Sequence, residues 1–424
     1  MKKAFTVLAV LMLLISVVGF AQGTEQLTLN DCYLLGEKNY SLVKQRELIA
    51  KTSAYTVENI QKGYLPQLNF NGQASYQSAV TEIPIKVPGI SIPALCNDQY
   101  RVYGEVNQLV YDGGQLGQQK QLQKTNEAIE QQRLETELYK LKERINQLFF
   151  GLLLINEQLK QSSLLIKDIQ LGLNKVQAAI TYGTALKSNA DVLKADLLKN
   201  NQRNIELNAT RNAYTGMLSL FIGKDIRETT MLVKPQPVIA SREINRPELL
   251  LYREQGKSLD VQNKLLKVKT LPKLNLFLQS GAGRPALNML SNNFEGYYIG
   301  GIRLNWNPSF FYTLKRDRAI IDINRRNIDV QKETFLFNTN LTLKQQNAES
   351  IKYQQLLSSD DEIIALRVKV KNTSIAQLEN GVINANDYLR EVNAEDQARQ
   401  SKILHEIQLL MSQYNQQTTA GNQQ

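Results

Sequence analysis

The feature that most constrains this chain is an apolar seam between Asp112 and Tyr182. Leu134, Leu138, Leu141, Ile145, Leu148, Leu152, Ile155 and Leu159 follow one another at alternating intervals of four and three. Ser162 takes one slot, and Ile166, Ile169, Leu173, Val176 and Ile180 continue the beat. A mean spacing of about 3.5 residues keeps one stripe facing a partner helix. No Pro occurs between Gln115 and Tyr182, so the pattern predicts an unbroken helix. At 1.5 Å per residue, about 68 residues make a rod of roughly 100 Å, well beyond the usual globular helix. Such a rod must lie against others like it.

Lys2 and Lys3 precede an almost wholly apolar run from Ala4 to Val18, and Gly19-Phe20-Ala21 offers small residues for cleavage. This predicts a signal peptide over 1–21 and a mature start at Gln22. An uncleaved anchor fits less well, because the run is short. No second run of about 20 apolar residues follows, so the sequence predicts no spanning helix and excludes an inner-membrane pump. Cys32 and Cys96 are the only cysteines, too few for a disulfide framework. The net charge of +10 is spread along the chain without a dense basic block, which reads as solvated helix faces rather than nucleic-acid binding.

The mature chain contains one unit twice. Asn39-Tyr40-Ser41-Leu42 leads to Leu65-Pro66-Gln67-Leu68-Asn69-Phe70, and Arg246-Pro247-Glu248-Leu249 leads to Leu271-Pro272-Lys273-Leu274-Asn275-Leu276. Tyr182-Gly183 with Asp191 is echoed by Asn380-Gly381 with Asp387. All these landmarks recur in one order at an offset of about 200 residues, a domain-sized duplication rather than a solenoid repeat.

Each unit carries two strand signals. From Gln67 to Gln77, polar Gln67, Asn69, Asn71, Gln73, Ser75 and Gln77 alternate with Leu68, Phe70, Gly72, Ala74 and Tyr76. That is a strand with one wet and one apolar face, at the length of a tilted membrane-spanning strand. Tyr100 to Tyr111, Leu274 to Gly283 and Tyr298 to Asn307 repeat the arrangement. In the last, Ile302, Leu304 and Trp306 oppose Arg303, Asn305 and Asn307. A soluble sandwich is the alternative; four segments of span length with Tyr and Trp near their ends favour a barrel. Four strands cannot close a membrane barrel, and open edges are not tolerated in lipid. Closure therefore requires several chains, and three would supply twelve strands.

Thr313 to Leu378 is a second long helix without Pro or Gly, and Ser188 to Leu220 and Asn386 to Tyr414 are returning helices. Asn200, Asn204, Asn208 and Asn212 form a polar stripe on the first of these, which reads either as a solvated face or as the lining of a water-filled bore. The expected order is a first-repeat helix over 22–65, a β-hairpin over 66–111, tunnel helices over 112–222 and a connector over 223–246. The second repeat has its helix over 247–271, a hairpin over 272–308 and tunnel helices over 309–414; a polar, disordered tail covers 415–424.

Enzymatic motifs are missing. His405 is the single histidine, so paired-His acid–base or metal chemistry is unavailable, and it reads as a helix-surface residue. Gly113-Gly114 and Gly281-Ala282-Gly283 lack the setting of a phosphate loop. No cofactor or metal is expected, and no carboxylate pair stands out as buried.

Taken together these landmarks resemble the TolC family of outer-membrane efflux and secretion channels, over Leu27 to about Tyr414. The motifs are Leu27-Thr28-Leu29, the doubled Leu-Pro-x-Leu-Asn, Tyr111-Asp112-Gly113-Gly114, Arg246-Pro247-Glu248-Leu249, and the two Gly turns with Asp191-Val192-Leu193 and Asp387-Tyr388-Leu389. The resemblance implies a mainly α chain with long coiled-coil-like helices in a periplasmic α-barrel and four strands in a shared twelve-stranded transmembrane β-barrel. It implies a homotrimer in the outer membrane of a Gram-negative bacterium, working with a periplasmic adaptor and an inner-membrane pump. Loops Ser78 to Gln99 and Arg284 to Glu295 would face outside. The tips, Tyr182, Gly183, Thr184, Asn380, Gly381 and Val382, would meet the adaptor. Asp387 matches an acidic aperture residue of the family. Arg390 stands where a second acid is expected, and the pair could cross-link neighbouring protomers; Asp387 could equally be a helix N-cap. A non-conducting periplasmic tether is the alternative function.

Overall fold

A computed structural model describes residues 26–81, 95–238 and 243–422. The expected signal peptide and most of the expected loop from Ser78 to Gln99 lie outside the described residues. In chain order the elements are β1 (Gln26–Leu27), α1 (Leu29–Asn39), α2 (Gln45–Gln61), β2 (Gln67–Tyr76), β3 (Asp98–Tyr111), α3 (Gln115–Tyr139) and α4 (Leu141–Thr181). They continue with α5 (Lys187–Ile222), β4 (Met231–Leu232), α6 (Pro247–Lys269), β5 (Lys273–Arg284), β6 (Glu295–Asn305), α7 (Phe310–Glu379) and α8 (Ala385–Ala420). The chain divides into a helical unit, Met1–Val43 with Glu137–Arg246 and Phe337–Gln424, and a sheet unit, Lys44–Thr136 with Pro247–Leu336.

The seam is the spine of the helical unit. Leu141, Ile145, Leu148, Leu152, Ile155, Ile169, Leu173 and Val176 are buried, while Leu159, Ile166 and Ile180 are half-buried. Ser162 occupies its slot fully buried, with its Oγ unpartnered. The expected single rod is interrupted once, at Lys140, which separates α3 from α4. Phe149 and Phe150 meet edge to face at 6.0 Å in a cluster with Leu218, Ile222, Ile407 and Leu410. Each such side chain, fully buried, contributes about 1.5–3 kcal/mol of transfer free energy. Two glycines of α4 accept tyrosine rings from different helices, Gly151 that of Tyr214 on α5 and Gly172 that of Tyr388 on α8. β1 pairs in parallel with β4, joining Leu27 to Leu232. The tail corrects the sequence reading: α8 runs to Ala420, which is fully buried. Tyr139 donates to the Thr418 carbonyl at 2.7 Å and the Asn245 N–H to that of Ala420 at 2.7 Å, which is why the polar end is ordered.

The sheet unit carries one four-stranded antiparallel sheet in the order β2-β3-β5-β6, so β2 and β6 are its edges. β3 and β5, the inner pair, come from the two repeats. The Tyr-Asp-Gly-Gly motif makes the exit from β3: Asp112 accepts from the N–H groups of Gly114 at 2.7 Å and Leu116 at 2.6 Å, capping α3. Gly113 and Gly114 have φ of 71° and 87°, a region that favours glycine.

Candidate functional site: paired turns and a two-faced sheet

The two hairpin turns of the helical unit are built alike. After α4, the N–H of Thr184 reaches the Ala179 carbonyl at 2.8 Å and that of Gly183 the Ile180 carbonyl at 3.0 Å. After α7, Val382 bonds Gln377 at 2.8 Å and Gly381 bonds Leu378 at 3.2 Å. Both are Schellman closures, which require a left-handed residue just past the helix; Gly183 has φ 75° and Gly381 φ 69°. Tyr182 and Val382 are exposed, as are Thr184 and Asn380. The restarts differ. Asn384 caps α8 by accepting from the Asp387 N–H at 3.0 Å, whereas Leu186 precedes α5 with no side-chain cap and stands exposed.

Asp387 is therefore not the N-cap; it is a first-turn acid, favoured there by the helix dipole. Its Oδ1 lies 3.5 Å from the Arg390 guanidinium, which also reaches Glu391 at 3.1 Å. The pair closes on its own helix. Asp387, Arg390 and Glu391 line a cavity of about 380 Å³ with Lys369, Thr373 and Gln377 of α7.

In the sheet, residues paired across strands share a face. The register puts Phe70, Val102, Leu276, Leu278, Ile302 and Leu304 on one face, and all are exposed. Asn69, Asn71, Glu105, Gln279 and Arg303 share the other. There Arg303 donates to Glu105 at 2.9 Å and lies 4.4 Å from the centre of the Phe277 ring. Aromatic rings cover strand glycines on both faces, Phe70 over Gly104 and Phe277 over Gly301.

Sequence reasoning missed the charged interior of the helical unit. Lys371 on α7 bridges Asp168 on α4 at 2.8 Å and Glu395 on α8 at 2.6 Å, and Arg399 also reaches Glu395 at 2.6 Å. Asp396 accepts from Gln161 at 3.0 Å. Burial raises the Glu395 carboxyl, but Lys371 and Arg399 overcome it and hold its pKa below the ordinary value. For Asp396 burial prevails over Gln161 and Arg203, and its pKa is raised. His405 is half-buried, not a surface residue, with Nδ1 2.7 Å from Asp360. Cys32 and Cys96 are both free thiols. The only sequence sign of this interior was the Asn stripe, in which Asn200 is buried and Asn208 and Asn212 are exposed.

Among the described residues no helix is long and apolar enough to cross a membrane; the sheet carries an exposed apolar face. Long paired helices joined by two duplicate turns, with four such strands from two repeats, define a TolC-like fold. Solved structures share it. VceC, an outer membrane protein of Vibrio cholerae, superposes with a TM-score of 0.66 at 9% identity over 93% of this chain and 96% of that one. The Campylobacter jejuni CmeC outer membrane channel gives 0.65 at 11% over 93% and 85%. The Neisseria gonorrhoeae MtrE outer membrane channel gives 0.64 at 12% over 93% and 89%. No family profile matches the sequence, and no curated protein matches it.

Proposed function

We propose that this chain is the outer-membrane channel of a tripartite efflux or type I secretion system, a passive homotrimeric duct. The observation that carries the reading is the sheet with two unpaired edges and one exposed apolar face. Water does not favour such a face, and lipid does not tolerate such edges. Three copies joined edge to edge would close twelve strands, with Phe70, Ile302 and Leu304 toward lipid and Arg303 and Glu105 toward the bore. The likeness to solved outer membrane channels supports the same reading.

The duct would take substrate from a periplasmic adaptor and an inner-membrane pump, which supply the energy. Tyr182, Gly183, Thr184, Asn380, Gly381 and Val382 are the proposed adaptor contacts, and Asp387 with Arg390 the proposed aperture residues. We assign the chain no catalytic step. The test is native mass together with conductance in a planar bilayer. A trimeric mass with discrete openings is expected; a monomer, or a trimer that never inserts, would favour a periplasmic tether.

A further inference from the structure

A cavity of about 520 Å³ opens within the helical unit, among α1, the start of α4, the stretch 233–236 and the end of α8. Small-molecule pockets commonly run from about 300 to 1,000 Å³. The lining joins apolar Leu29, Leu34 and Pro235 to the side chains of Tyr33, Tyr139 and Tyr414. All three phenols donate elsewhere: Tyr33 to Asn146, Tyr139 to the Thr418 carbonyl at 2.7 Å, and Tyr414 to the Gln236 carbonyl at 3.0 Å. These bonds fix the rings, so the wall stands without a ligand to order it.

Lys142 of α4 lines the same cavity. Its Nζ lies 5.5 Å from the centre of the Tyr33 ring and 5.0 Å from that of Tyr139. Ring faces attract an ammonium, but they leave its three N–H donors without acceptors. Among the described residues no carboxylate stands within ion-pair distance of this Nζ, and no acceptor within hydrogen-bond distance. The side chain is half-buried, and the loss of water lowers its pKa against the pull of Glu37. An ammonium that has given up water without gaining an anion is costly to keep.

The neighbouring charges do not complete it. Lys234 pairs with Glu406 at 2.7 Å. Arg246 lies 4.6 Å from the centre of the Tyr139 ring and donates to the Thr418 carbonyl at 3.3 Å. Glu37 is exposed, and water weakens its reach. We propose that this cavity binds one small aromatic carboxylate, its anionic end on the Lys142 ammonium and its ring against Leu29, Leu34 and Pro235. A single charge matches the single ammonium, whereas a dianion would also meet Glu37. The apolar and aromatic walls favour a flat organic body over an inorganic anion. Such binding needs neither a trimer nor conductance.

Equilibrium dialysis of 2-naphthoate against the full-length, detergent-extracted protein, with the same detergent in both compartments, tests it. Saturable binding of one molecule per chain is expected. The uncharged 2-naphthamide should bind the parent protein about tenfold more weakly, the scale of one charged hydrogen bond. Lys142→Gln should weaken naphthoate binding by a similar factor, and equimolar inorganic phosphate should not displace the naphthoate. No saturable binding, equal binding of acid and amide, displacement by phosphate, or parental affinity in Lys142→Gln would each overturn the proposal. The acid–amide comparison uses the parent protein alone, so it stands even where the variant fails to fold. A protein that fails as a channel can still pass, and a conducting trimer that ignores naphthoate fails here alone.

Discussion

The Tyr388 ring lies directly against the backbone of Gly172, where any side-chain carbon would overlap it, and its hydroxyl donates to the Asp168 carbonyl at 2.9 Å. Tyr388 is 1% exposed. Its position is thus set twice, by a helix with a missing Cβ and by a hydrogen bond one turn away on that same helix. This contact fixes how closely α8 approaches α4 just above the second turn.

Gly172→Ala should destabilise the protein by about 1–3 kcal/mol, the usual range for overpacking. The loss should shrink markedly in a Tyr388→Leu background, because the two changes share one contact. Denaturation midpoints of the four proteins measure this, and additive losses would show that the ring is not the obstacle.

The turn glycines call for the opposite expectation. A Cβ at Gly183 or Gly381 meets nothing within 4 Å, so the cost of Ala is conformational only, about 1 kcal/mol for each positive φ. Under the proposed function, bulky residues there should leave the proposed trimer intact and abolish cross-linking to a periplasmic adaptor. Unchanged cross-linking would remove the turns from the adaptor interface.

Adjacent carboxylates should respond to pH with opposite sign. Glu395 has a depressed pKa, so its contribution is present above the ordinary value of 4.5 and is lost as pH falls through the folded value. Asp396 has a raised pKa, so its ionised form costs stability at neutral pH, and that cost fades as pH falls through the folded value. Glu395→Gln should therefore lower the stability at pH 7, by about 2 kcal/mol for charged hydrogen bonds, and approach the parent in acid. Asp396→Asn should match or exceed the parent at pH 7. A common response from both variants would refute the opposite assignments.

Cys32 is fully buried, and burial, helped by the charge of Asp31, pushes its thiol up to about 12. Cys96 is partly exposed. Alkylation of the native protein at neutral pH should mark Cys96 and spare Cys32 until the chain is unfolded, as read by peptide mass. Early labelling at Cys32 would mean that α1 opens readily.

Asp387→Ala or Arg390→Ala removes a pair that closes within one helix at 3.5 Å. If these residues bound the aperture, each change should raise single-channel conductance. Equal conductance in parent and variants would leave the pair as surface helix chemistry, worth a few tenths of a kcal/mol.

Much of the fold was legible because its signals are periodic. The seam from Leu134 to Ile180 and the alternation from Gln67 to Tyr76 each encode a face, and the duplication lets one repeat check the other. Asp387 was harder: an acid near a turn can be a cap or a first-turn residue, and only the backbone reveals that Asn384 takes the cap. Lys371, Glu395 and Asp396 could not be found by pattern, because charged residues on long helices are the rule. What distinguishes them is burial set by four helices at once, which no local stretch records. His405 was misjudged for the same reason, its partner Asp360 lying on another helix.

The bare edges of β2 and β6 bear on the life of the chain before it functions. A protomer by itself offers two rows of unpaired backbone groups beside an apolar surface, the combination that recruits stray strands. In the proposed trimer, its safety depends on how soon it meets its own kind, which is a matter of concentration and not of intrinsic stability. Synthesis that outruns assembly should yield aggregate or proteolysed chain, and synthesis too slow for encounter should do the same. If the proposed trimer is what closes the sheet, supply rate is part of the folding problem.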